Sequence, residues 1–156
     1  MNTNENKKND NPDILQIVTF NIGNEEFGIE VLSVQEIIRM VAITQVPNSS
    51  EIIEGIINLR GHIVPVIDLR VVFGMDRIQY SDHTRIIVVE INKATMGIIV
   101  DSVNEVMRIP SDITEAPPSF AGGIDSEFIK AVGKLDNRML ILLNLASIFS
   151  FRELAA

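Results

Sequence analysis

The chain carries two copies of one pattern, and any fold proposed for it must accommodate that duplication. The segment from Phe27 to Arg39 aligns with that from Met96 to Arg108 at an offset of 69, and seven of the thirteen pairs are identical. The same offset carries Val18, Phe20 and Ile22, alternating with Thr19 and Asn21, onto Ile87, Val89 and Ile91, so each copy opens with a period-2 strand. Val46-Pro47 aligns with Ala116-Pro117, and further on Leu59 aligns with Leu135, Asp68-Leu69 with Asn144-Leu145 and Phe73 with Phe149, where the offset has grown to 76. An insertion of about six residues in the second copy, within Pro118 to Glu127, accounts for the growth. A lone copy of about 60 residues would bury only about 60% of its unfolded surface, so the copies are expected to pack together with a groove at their interface.

Within each copy the residue types favour pleated structure. There are 25 Ile and 15 Val against seven Phe and one Tyr, and β-branched side chains suit half-buried sheet surfaces. Gly23-Asn24, Asn92-Lys93, Gly61 and Asn137 stand where hairpin turns belong, which gives five short strands per copy and an all-β fold. The expected organisation is a flexible tail over residues 1–13 and one domain over 14–156, with subdomains at about 14–80 and 81–150. Val31, Val34 and Ile38, like Val100, Val103 and Met107, recur at helical spacing, and Ser33 with Glu36 and Ser102 with Glu105 have the spacing of a capping box. Short helical turns are therefore predicted near 31–39 and 100–107, and also near 68–74 and 144–150, where Asp68 stands as an N-cap.

Several function classes lose support from composition. The net charge of -8 opposes nucleic acid or an anionic membrane. No cysteine is present, so disulfides and thiolate chemistry are out of reach, and no apolar run approaches the roughly 20 residues of a membrane helix. The cytoplasm is the expected compartment. His62 and His83 each stand alone, without spacing for a metal. Asp68 and Asp101 can be imagined as a paired acid and base, but capping accounts for Asp68 more simply, and a flexible loop accounts for Gly122-Gly123. No catalytic constellation, metal or cofactor is expected, which leaves a small β-barrel enzyme or ligand-binding protein as the contrasting reading.

The segment Glu54-Gly55-Ile56-Ile57-Asn58-Leu59-Arg60-Gly61-His62-Ile63-Val64-Pro65-Val66-Ile67-Asp68-Leu69-Arg70 resembles the signature hairpin of the CheW family of chemotaxis coupling proteins. Phe27-Gly28-Ile29, Val34-Gln35-Glu36-Ile37 and Val46-Pro47-Asn48 extend the likeness over roughly residues 14 to 150, and Ser49-Ser50 departs from it where another proline is common. The resemblance implies two SH3-like five-stranded β-barrel subdomains side by side. It also implies an adaptor, without cofactor, that couples the histidine kinase CheA, through its regulatory domain, to the cytoplasmic tips of chemoreceptors in membrane-associated arrays. A CheV-like adaptor or a detached kinase regulatory domain fits the same resemblance. A groove between barrels can accept a receptor helix through apolar anchors, and Val34, Ile37, Ile38, Ile98, Val100 and Val103 are the candidate lining, with barrel core as the alternative for each. Arg60 stands at a tight turn where the second copy has Asp136, either as a solvated turn residue or paired with a carboxylate such as Glu36 at the receptor-facing surface. The kinase contact is expected at barrel ends, with no residues assigned.

Overall fold

The structure is a computed structural model, and it describes residues 13–47, 51–116, 120–121 and 124–155. Residues 1–12 of the expected tail, the Ser49-Ser50 loop, Gly122-Gly123 and part of the expected insertion lie outside the described residues. The first copy supplies β1 (Ile14–Ile22), β2 (Glu25–Glu30), a 3-10 turn (Val31–Ser33), β3 (Val34–Arg39), β4 (Ile53–Leu59), β5 (His62–Asp68) and the short helix α1 (Leu69–Val72). The second supplies β6 (Arg85–Ile91), β7 (Ala94–Val100), β8 (Ser102–Pro110), a 3-10 turn (Ser111–Ile113), and three two-residue strands, β9 (Thr114–Glu115), β10 (Phe120–Ala121) and β11 (Ile124–Asp125). After a 3-10 turn (Ser126–Phe128) come β12 (Ile129–Leu135), β13 (Arg138–Leu143) and α2 (Leu145–Ala155).

Beside the small β10–β11 pair stand two large sheets, and they do not follow the boundary near residue 80. One has the order β8-β1-β2-β13-β12-β9 and the other β3-β6-β7-β5-β4, so each copy lends its opening hairpin to the other copy's sheet. Chain geometry explains the exchange. β2 and β8 both run antiparallel to β1; Glu30, the end of β2, pairs with Ile17, whereas the start of β8 pairs with Asn21. If β3 lay in β8's place, the chain would have to travel back four residues along β1 and across two strand spacings, about 16 Å. From Glu30 to Val34 it can span only about 14 Å, so β3 is driven into the second sheet. The division at about 80 is thus a boundary between repeats and not between sheets.

Each sheet curls toward closure. β8 and β9, the two edges of the first sheet, are joined by the three-residue turn Ser111–Ile113. In the second sheet Thr44, beyond β3, bridges to Ile56 of β4 through backbone bonds of 2.9 and 2.8 Å. Parallel pairings repeat in register: Gly28 lies opposite Leu142, as Gly97 lies opposite Val66. A Cβ on either glycine would run into the side chain of Ile17 or Ile86, which are themselves equivalent, so the repeated glycine is a close-approach position.

Among the described residues, buried apolar side chains divide among three cores. Ile17, Ile109, Leu140 and Leu142 fill the curl of the first sheet, and Ile57, Val64, Val66, Ile86, Val88 and Ile99 fill that of the second. Between the sheets lies the largest core, including Val18, Phe20, Phe27, Ile67, Ile87, Val89, Ile98 and Val100. Strands buried on both faces explain the continuous apolar run Ile86 to Val89.

Two of the four expected helical turns form as helices, α1 and α2. Asp68 Oδ1 accepts from the Arg70 N–H at 3.0 Å, and Asn144 Oδ1 accepts from Ser147 N–H at 3.1 Å, so both copies cap the same turn. The expectation near 31–39 reduces to the 3-10 turn before β3, and the stretch 100–107 holds the end of β7 and most of β8, with no helix. A bulge produces the misleading spacing. Val34 pairs with Val89 but Glu36 with Val88, and Val103 pairs with Phe20 but Glu105 with Thr19, which leaves Gln35 and Asn104 as extra residues that shift the alternation. Glu36 and Glu105 are strand residues that bind arginines, so neither capping box exists.

Candidate interaction site at the seam between the sheets

The β4–β5 hairpin turns through Arg60 and Gly61, at φ 51° and 85°, the left-handed geometry that matches strand twist across a two-residue loop. Asn58 Oδ1 accepts from Gly61 N–H at 2.8 Å and fixes the turn. Arg60 is consequently held out with 71% of its side chain exposed, and its Nη2 donates to Glu36 Oε2 at 2.5 Å, which ties the hairpin to β3. In the second copy Asp136 occupies the turn position, at φ 30°. Arg138, two residues on, replaces the missing cation: it donates to Glu26 at 2.6 and 3.1 Å and approaches Glu105, the equivalent of Glu36, at 3.2 Å. The Arg138 hydrogen bonds hold the Glu26 carboxyl below its ordinary range. Both copies therefore bind their bulged strand to their late hairpin through a Glu–Arg pair.

A second cluster joins the two sheets. Arg70 of α1 grips Asp101, between β7 and β8, with Nε at 3.0 Å and Nη2 at 2.6 Å, and Gly23 of the β1–β2 turn donates its N–H to the same carboxylate at 2.8 Å. Burial pushes the Asp101 carboxyl up, but the Arg70 and Gly23 donors outweigh it and hold the group below the usual range. Asp68 receives the backbone N–H of Arg70 at 3.0 Å, and burial pushes its carboxyl up. The two aspartates thus serve as a clamp and a cap. Nearby, Glu54 pairs with Arg77 at 2.7 Å; burial raises the Glu54 carboxyl, and burial with the Asp68 and Glu54 charges pushes the Tyr80 hydroxyl up to about 12.

Of the expected lining residues, Ile98 and Val100 are 0% and 1% exposed, inside the core between the sheets. They cannot touch a partner, and their assignment to a groove is corrected to core; β7 is covered on both faces because its hairpin is exchanged. Val34 and Val103, which are equivalent, are half-buried at the rim of that core, and Ile38 is half-buried against the interior of the second sheet. Ile37 is exposed. Ile63, Val106 and Met139 are among the further exposed apolar residues that the sequence did not single out. Their signal was available: Val106 is the equivalent of Ile37, and Met139 of Ile63, so exposed apolar side chains recur at matching positions.

Among the described residues no three His, Asp or Glu side chains gather as a metal site, and no helix is long and apolar enough to cross a membrane. Comparison with known proteins gives a consistent result. The family model described as CheW-like domain matches residues 16–153. A Chemotaxis protein CheW of Klebsiella aerogenes is 38% identical over 140 residues, covering 90% of this chain and 84% of that protein. A Chemotaxis protein CheW of Helicobacter pylori is 32% identical over 143 residues, covering 91% and 86%. The crystal structure of the scaffolding protein TtCheW from Thermoanaerobacter tengcongensis superposes with a TM-score of 0.81 at 41% identity, covering 88% of this chain and 89% of that one. With the duplicated sheets, the signature hairpin and these matches in agreement, the chain belongs to the CheW-like domain family.

Proposed function

We propose that this protein is a non-catalytic chemotaxis adaptor, acting in the cytoplasm, that couples the kinase CheA to the tips of chemoreceptors within membrane-associated arrays. The observation that carries this reading is the match to the CheW-like domain along residues 16–153, which takes in both sheets and the exposed β4–β5 turn. The receptor-facing surface is assigned to Val34, Glu36, Ile37, Ile38, Arg60 and Val103. Its apolar members are half-buried or exposed, and the Arg60–Glu36 pair gives it a polar edge. The kinase contact is assigned to the barrel ends, where Ile63 and Met139 present matching exposed apolar side chains.

The test is binding of the full chain to a receptor-tip fragment and to the CheA regulatory domain, measured separately. Arg60→Glu places two acidic side chains together and is expected to weaken receptor binding about tenfold, with kinase binding unchanged. The exchange Arg60→Glu with Glu36→Arg is expected to restore it. A folded Arg60→Glu variant that binds both partners like the parent removes this surface from the receptor site, and a parent that binds neither removes the adaptor reading.

A further inference from the structure

The duplication lets each site in one copy be compared with its equivalent in the other. The clamp made by Arg70, Asp101 and Gly23 has no like counterpart: Ala146 stands at the position equivalent to Arg70, Leu32 at that of Asp101 and Asn92 at that of Gly23. A cavity of about 240 Å³ opens there, lined in part by Glu30, Ser33, Ile91, Lys130, Asn144 and Ala146. Ile91, Asn144 and Ala146 are the equivalents of Ile22, Asp68 and Arg70. The cavity is the clamp's place with the clamping side chains removed, and Leu32 points away into solvent, 99% exposed.

We propose that this cavity receives an arginine side chain from a partner protein. The same backbone framework holds a guanidinium in the first copy, and the truncation to Ala146 clears the room that the Arg70 stem fills. An acceptor is in place: Glu30 lines the cavity, its carboxylate tied to Lys130 by a 3.3 Å pair in which the Glu30 side chain is 44% and the Lys130 side chain 53% exposed. So exposed an ion pair holds weakly, and a planar guanidinium, which bonds a carboxylate through two N–H groups, displaces an ammonium from it. The chain's charge of -8 favours approach of a cation. An arginine seated there ties β2 to the first turn of α2, as the clamp ties α1 to the link between β7 and β8.

The first arm of the test titrates Nα-acetyl-arginine amide into the ¹⁵N-labelled full chain, with Nα-acetyl-lysine amide as control. Saturable amide shifts are expected at Ser33, Ile91, Lys130 and Ala146 with the arginine compound, and binding about tenfold weaker or absent with lysine. Glu30→Gln is expected to weaken the arginine response about tenfold, the loss that follows removal of a charged acceptor. Ala146→Arg is expected to abolish it by filling the cavity, and Leu32→Asp added to that variant is expected to raise its melting temperature by completing a second clamp. Equal responses to the two cations, shifts spread over the acidic surface, or undiminished binding by a folded Ala146→Arg chain would each overturn the proposal. The second arm measures Ala146→Arg against the CheA regulatory domain and the receptor tip, and one of the two is expected to bind at least about tenfold more weakly. This arm alone rests on the adaptor reading. Arginine binding in the first arm with neither protein weakened in the second shows that the occupant is not an arginine of these partners.

Discussion

Asp68 and Asn144 occupy equivalent capping positions, and the difference between them makes an internal experiment. A buried carboxylate whose pKa is raised opposes folding once the pH climbs above its range, whereas an amide caps as well without charge. Asp68→Asn is therefore expected to equal or exceed the parent in urea stability at pH 7, with the difference shrinking as the pH falls toward 4. Asp68→Ala, which removes the cap, is expected to lose about 1 kcal/mol. Arg70→Gln has the opposite pH dependence. It leaves Asp101 half-buried with the Gly23 N–H as its remaining donor among the bonds described, at an expected cost of about 1.5–3 kcal/mol at pH 7. Because the Asp101 pKa is lowered, the clamp's contribution is present above the ordinary carboxylate range and disappears as the pH falls through the lowered value. A difference between Arg70→Gln and parent that stays constant from pH 7 to pH 2 would exclude an ionic clamp.

Close packing between strands is shared by the two copies, so its disruption should be shared as well. Gly28→Ala and Gly97→Ala each push a methyl group into an isoleucine on the neighbouring strand, with an expected loss of about 1–3 kcal/mol apiece in denaturant melts. Gly133 is the control, since a Cβ there meets nothing nearer than 3.8 Å and Gly133→Ala should be neutral or mildly stabilising. A large loss at Gly133, or none at Gly28, would contradict the stated register. Most strands and the turns at Gly23-Asn24, Arg60-Gly61 and Asn92-Lys93 were legible from alternation and residue type. The helical reading of β3 and β8 failed because a bulge at Gln35 and Asn104 imitates a spacing of three or four. A one-residue insertion in a strand has no local signature apart from the partner it misses.

Exchange of the opening hairpins makes the two halves interdependent. A fragment of residues 1–80 would hold β1 and β2 with no β8, β12 or β13 to pair with, and β3, β4 and β5 with no β6 or β7. It is expected to show no cooperative thermal transition as a monomer, and mixing with a fragment of residues 81–156 is expected to restore one. A monomeric, cooperatively folded 1–80 fragment would refute the interlock. The duplication, the positions of most strands and turns, the Asp68 cap and the family likeness were legible in the chain, because each depends on neighbours within a few residues or on direct comparison of the copies. The crossing of the hairpins between sheets, the place of Ile98 and Val100 in the core with Val34 and Val103 at its rim, and the substitution of Arg138 for Arg60 emerge from the fold alone. The reason is the same in each case: which face of a strand is covered depends on a partner strand far away in the chain, and an Ile or Val looks the same whichever sheet it is pressed against.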